Sequence, residues 1–118
     1  MCIRDRFCID QMKGPSGGGK VLRTQTYRFM QTPQGGDNGI SWGVVPSVLG
    51  RRGPALTHSG SDGNWNAIVI LFPKTGNGLL VVANAAESMG GDKASVQVAR
   101  QLLPDLAGPA ETTAPGAK

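Results

Sequence analysis

His58, Ser59 and Gly60 lie between a short strand-like run, Ala55-Leu56-Thr57, and a long apolar one that starts at Asn66. Together the three residues could do polar group-transfer chemistry. An imidazole changes charge near neutral pH. A serine hydroxyl can hydrogen-bond a carboxylate or carbonyl, and a strand glycine lets another backbone lie close. Two other stretches invite a chemical reading. Gly14-Pro15-Ser16-Gly17-Gly18-Gly19-Lys20 fits G-x-x-x-x-G-K, the opening of a phosphate-binding loop. Such a loop continues with Ser or Thr, whose hydroxyl holds magnesium, whereas Val21 has no oxygen to offer. With no clear strand before it and no helix opening at Lys20, the stretch reads as a flexible loop. Cys2 and Cys8, with the single His58, lack metal-ligand spacing and cannot form a disulfide framework.

The elements that must carry these residues are short. Eighteen glycines and eight prolines in 118 residues imply many turns and one small domain at most. Phe7 to Lys13 reads as the end of a helix closed by Gly14-Pro15. Gln25 to Gln31 reads as a short helix, with Pro33 disfavouring the helical conformation at Thr32. Ile40 to Val45 reads as a strand, Pro46 to Pro54 as a loop and Ala55 to His58 as a second strand. Asn66 to Phe72 and Leu79 to Ala83 are the strongest strands, joined by a hairpin-like turn over Pro73 to Gly78. Both are continuously apolar, the pattern of a strand buried on both faces, yet their short connections require antiparallel pairing. An antiparallel sheet between helical layers satisfies both conditions. One covering helix is expected from Asp92, as N-cap, to Leu103, with Val98, Ala99, Leu102 and Leu103 on its inner face and Pro104 ending it. The expected fold class is α+β, with about four antiparallel strands flanked by helices. Gly108 to Lys118, rich in Pro, Ala, Thr and Gly, reads as a disordered tail.

The net charge of +4 comes from scattered residues, among them Arg51-Arg52, Lys74, Lys93 and Arg100. No clustered basic face with aromatics for base stacking is visible, so a nucleic-acid partner is not expected. The longest apolar run, Ala67 to Phe72, is strand-sized and far short of a membrane span. The pattern leaves any membrane association open. Met1-Cys2-Ile3-Arg4-Asp5-Arg6 resembles the translation of a transposase adapter used in sequencing libraries. Residues 1–6 are therefore set aside from fold reasoning, and the natural sequence is expected to begin near Phe7, inside a longer gene.

The run His58-Ser-Gly-Ser61, Trp65-Asn-Ala-Ile-Val69, Pro73 and Gly78-Leu-Leu-Val-Val-Ala-Asn84 resembles the serine β-lactamase and penicillin-binding-protein hydrolases. The likeness is to their class C-like branch, which carries His-x-Gly where others carry Lys-Thr-Gly. Upstream, Gly19-Lys-Val-Leu22, Met30-Gln-Thr-Pro33 and Ile40-Ser-Trp-Gly43 resemble the same family, so the likeness covers most of residues 7–107. Lys74-Thr75-Gly76 spells the alternative motif, but it sits in the hairpin turn and turn chemistry explains it.

The resemblance implies an acyl-enzyme hydrolase acting on an ester, amide or β-lactam, with a small-molecule or peptide substrate and no metal or organic cofactor. It implies that the N–H of Ser61 is one oxyanion donor, the other belonging to the nucleophile. Gly60 would admit the substrate, His58 would assist by hydrogen bonding or charge, and Ser59 would bind a carboxylate or carbonyl. Neither the Ser-x-x-Lys of the family nor its Tyr-x-Asn occurs in the 118 residues. The chain is therefore expected to be the C-terminal part of such an enzyme and inert by itself. Two alternatives stand beside this: a non-catalytic binding or sensing member of the same fold, and a stand-alone β-rich binding module using Trp42 and Trp65. Periplasmic or secreted localisation is suggested by the resemblance alone.

Overall fold

The computed structural model describes residues 2–48 and 51–109. The chain is α+β. Helices α1 (Ile3–Lys13) and α2 (Thr24–Met30) precede a four-stranded sheet, and α3 (Gly91–Leu106) follows it. The strands β1 (Gly43–Val48), β2 (Arg51–Ser61), β3 (Asn66–Phe72) and β4 (Asn77–Ala83) form an antiparallel meander in sequence order.

Side-chain alternation along the strands builds two cores. On one face Val44, Leu56 and Leu71 pack with Cys8, Trp42 and Met12 beneath α1. On the other, Ala55, Phe72 and Ile70 pack with Leu103, Leu106 and Ala107 from α3 and its end. The adjacent residues Ala55 and Leu56 are both fully buried, on opposite faces. The centre of the sheet is therefore covered on both sides, as its unbroken apolar strands require. Burying a leucine such as Leu56 or Leu71 this completely stabilises by ~2–3 kcal/mol.

Several boundaries differ from the sequence reading. α1 begins at Ile3, and the Asp5 carboxylate accepts the Cys2 N–H (3.2 Å), so residues 3–6 share its first turn. β1 and β2 together take in most of Pro46 to Pro54, which reads as a loop. Pro46 lies at a bulge between Val45 and Ser47 on an edge strand, where a missing N–H breaks no ladder bond. α3 runs past Pro104 to Leu106, because Leu103, Leu106 and Ala107 gain a core by doing so. Its inner face is Ser95, Ala99, Leu103 and Leu106 rather than Val98 and Leu102, which are exposed. The helix expected over Gln25 to Gln31 and the strand Asn66–Phe72 occur where the pattern puts them. Beyond Pro109 the expected tail lies outside the described residues, as do Met1 and residues 49–50.

The glycine-rich stretch after α1 is not a loose loop. It opens with a 3-10 turn, Gly14–Ser16, and wraps the fully buried ring of Tyr27. The Tyr27 hydroxyl accepts the N–H groups of Val21 (3.1 Å) and Leu22 (3.0 Å) and donates to Asp10. Asp10 also accepts the Lys20 N–H (2.6 Å), and the Arg28 guanidinium donates to the Pro15 carbonyl (2.8 Å). Amides that a phosphate loop would turn toward a nucleotide are here spent within the protein, those of Gly17 and Gly18 on the Gly14 and Lys13 carbonyls and that of Lys20 on Asp10.

Candidate functional site

β2 is longer than its neighbour. Its pairing with β1 begins at Gly43 opposite Thr57, so residues 58–61 pair only with β3. There His58 lies opposite Val69, Ser59 opposite Ile68, Gly60 opposite Ala67 and Ser61 opposite Asn66. Among the described residues, the other edge of this four-residue segment has no strand beside it. The motif thus occupies the open end of a strand, with backbone groups available to an incoming chain. The sequence reading ends that strand at His58, but it continues to Ser61.

Alternation sends His58 and Gly60 to the α1 face and Ser59 to the α3 face. On the α1 side lies a groove of about 560 Å³ bounded by Phe7, Cys8, Trp42, His58, Trp65 and Val69. A second, of about 620 Å³, runs along the same edge and is lined by Asn38, Thr57, Ser59 and Ile68. His58 and Ser59 would therefore meet a ligand from opposite sides. Gly60 faces open space: an added Cβ would have no atom within 4 Å. Its lack of a side chain is thus not demanded by any described neighbour. Gly43, whose added Cβ would overlap Thr57, is a packing glycine by contrast.

The exposed His58 ring makes a T-shaped contact with Trp42, with centroids 6.4 Å apart at 78°, and Trp42 stacks on Phe7 at 6.4 Å and 15°. Trp42 is only 6 % exposed and its Nε1–H donates to Gln11 Oε1 (3.4 Å). Gln11 is buried as well, and its carbonyl accepts Gln31 Nε2–H (2.8 Å). The imidazole therefore rests on a wall anchored in α1. Next to this wall Ser41 takes the left-handed conformation, φ 64°, and borders both grooves. Of the two tryptophans read as contact residues of a binding module, Trp42 is a buried support. Only Trp65, 48 % exposed, is placed for contact.

After the motif the chain turns tightly. Ser61 Oγ accepts the Gly63 N–H (3.1 Å), so this hydroxyl is engaged in the turn. Asp62 Oδ1 accepts the N–H groups of Asn64 and Trp65, both at 2.9 Å. These two bonds, that of Asn64 first, hold the Asp62 carboxyl below the usual aspartate range. A depressed folded-state pKa means that the carboxylate stabilises the turn above the ordinary aspartate value, and that this support is lost as pH falls through the folded value. An NMR titration should place the Asp62 midpoint below that of aspartate in an unfolded peptide, with the Trp65 amide shift following it. A midpoint at or above the peptide value would show that the turn does not engage the carboxylate.

Inside the groove, burial followed by the nearby Asp5 charge pushes the Cys8 thiol up, away from the nucleophilic thiolate. Asn66, opposite Ser61, is buried with no hydrogen-bond partner for its side-chain oxygen among the described residues. No group of three or more His, Cys, Asp or Glu among the described residues could hold a metal. None of the described helices is long and apolar enough to cross a membrane. Lys74-Thr75-Gly76 lies in the β3–β4 turn, with Gly76 at φ 74° and the Thr75 hydroxyl donating to the Phe72 and Leu106 carbonyls at 3.3 Å.

The sequence reading missed the groove walls contributed by Phe7, Cys8 and Met30, and it missed Asp62. Asp62-Gly63-Asn64 carries a recognisable turn signal, whereas nothing in the local pattern ties α1 to His58. No protein-family model, curated protein or solved structure matches this chain.

Proposed function

We propose that this chain supplies the substrate-binding strand of a serine acyl hydrolase related to the β-lactamases, acting on an ester, amide or β-lactam. The observation that carries this reading is the open edge of β2 at His58-Ser59-Gly60-Ser61, where the one glycine faces free space beside a groove. An acyl group lying against this edge would pass over Gly60 with its carbonyl oxygen near the Ser61 N–H. That N–H would serve as one oxyanion donor, and a backbone dipole already fixed by a strand does not reorganise as charge develops. His58, steadied by Trp42, would stabilise negative charge from the α1 side, and Ser59 would hydrogen-bond a polar group from the α3 side.

The nucleophile must come from residues outside this sequence, since no Ser-x-x-Lys occurs in it. The chain alone should form no covalent adduct with a fluorescent β-lactam or a fluorophosphonate, as read by intact-protein mass spectrometry. A stable adduct on Ser59 or Ser61 would overturn this division of labour. The deciding experiment is long-read sequencing of the source DNA across the codon for Phe7. An open frame with Ser-x-x-Lys and then Tyr-x-Asn upstream supports the hydrolase. A frame reaching Phe7 without them would replace it by a non-catalytic member of the same fold.

A further inference from the structure

Two glutamines link α2, through α1, to the ring that His58 packs on, and the link starts at a proline. In an α-helix the Gln11 carbonyl would accept the N–H of residue 15, and Pro15 has none. Gln31, which caps the end of α2, takes that place: its side-chain N–H donates to the Gln11 carbonyl at 2.8 Å. The Gln11 side chain is buried, and its oxygen accepts the indole N–H of the equally buried Trp42. The backbone around Trp42 is tied separately. Its carbonyl accepts the Gly39 N–H, and the Ile40 N–H donates to the Met30 carbonyl, both at 2.8 Å. Phe7 stacks on the indole, and His58 meets it in a T-shape. β2 fixes the His58 backbone, but an exposed strand side chain has several staggered rotamers open to it. The indole is what selects among them.

We infer that Gln11 and Gln31 are positioning residues for His58, acting through Trp42. Without the Gln11 side-chain oxygen, Trp42 would keep a buried N–H with no acceptor, which is more costly than never having made the bond. The indole gains by turning toward water, and the imidazole then loses the surface it packs on. Gln31 acts one step further back. Without its amide the Gln11 carbonyl is left unpaired at the end of α1, where the last turn of a helix frays most readily. The imidazole is therefore placed from α1 and α2, which lie far from its own strand in sequence. The catalytic use of this placement rests on the hydrolase reading; the placement itself does not.

His58 is the single histidine of the chain, so its imidazole C–H resonances can be followed without overlap. In the full chain these protons should show nuclear Overhauser contacts to Trp42 and a ring-current displacement from their positions in the unfolded chain. Gln11→Met removes the acceptor at similar volume and should abolish both, while the amide spectrum of β3 and β4 stays that of the parent. Gln31→Met, at a half-buried position, should weaken both and keeps the test open where Gln11→Met does not fold. Trp42→Phe separates positioning from a general loosening of α1. Phenylalanine has no N–H to satisfy, so adding Gln11→Met should leave the His58 shifts where Trp42→Phe alone puts them. Overhauser contacts that persist in Gln11→Met, no change in Gln31→Met, or an imidazole that moves equally in both backgrounds would each overturn the inference. In the complete hydrolase Gln11→Met should lower kcat by up to about 100-fold, as misplacement of a reacting group does. An unchanged kcat beside lost Overhauser contacts would overturn the role given to His58 in that hydrolase and leave its positioning standing.

Discussion

Gly19→Ala is expected to destabilise the chain by ~3 kcal/mol, at the upper end of what overpacking costs in a rigid site. The new Cβ would fall within the Tyr27 ring, and so would one added at Gly14. Tyr27 has no room to yield. It is fully buried, and its hydroxyl is bound to Val21, Leu22 and Asp10. Tyr27→Phe keeps the ring but leaves two backbone N–H groups and a carboxylate without their partner, which should cost ~2 kcal/mol. Tyr27→Ala removes the ring as well and should cost ~4 kcal/mol. The pair should be strongly coupled: in a Tyr27→Ala background the Gly19→Ala change meets no ring and should cost far less. Urea denaturation of the four proteins measures the whole cycle. If Gly19→Ala lies within ~0.5 kcal/mol of the parent, the stretch does not wrap the tyrosine and is as loose as its composition suggests.

That stretch illustrates where sequence reasoning stops. Its glycines are legible as letters, but the residue they accommodate lies on α2, and nothing in a local window says that Tyr27 is buried against them. The strand Asn66–Phe72 and, from Leu79 onward, the strand Asn77–Ala83 are readable because unbroken β-branched and leucine runs between turn residues leave few other conformations. The errors cluster at proline. Pro46 and Pro104 each signal a break, and each is overridden by packing: Val44 and Val45 keep β1 paired, while Leu103 and Leu106 hold α3 to the second core. The candidate site divides in the same way. His58 to Ser61 can be picked out from residue types and from the apolar run that follows. Phe7 and Gln11 cannot, because their part depends on contacts with Trp42 across more than thirty residues of chain, and such contacts leave no periodicity.

In the hydrolase proposed here, with a nucleophile supplied from its remaining residues, Ser61→Pro should reduce kcat by ~100- to 1000-fold, the loss found when one oxyanion donor is removed. The substitution deletes the N–H together with the hydroxyl that receives Gly63, and an edge position tolerates proline where that N–H points away from its strand partner. Thermal stability should therefore change far less than activity. Ser61→Ala keeps the N–H and loses only the hydroxyl that receives Gly63, so its kcat should stay close to that of the parent. Gly60→Val tests the neighbouring claim. Its side chain enters space that no atom now occupies, so it should spare the fold while obstructing the acyl group and raising KM. Two results would sink the oxyanion role. One is a Ser61→Pro protein that stays folded and fully active. The other is a Ser61→Pro protein destabilised by ~3 kcal/mol, which would mean that the N–H belongs to the β2–β3 ladder and never faced a substrate.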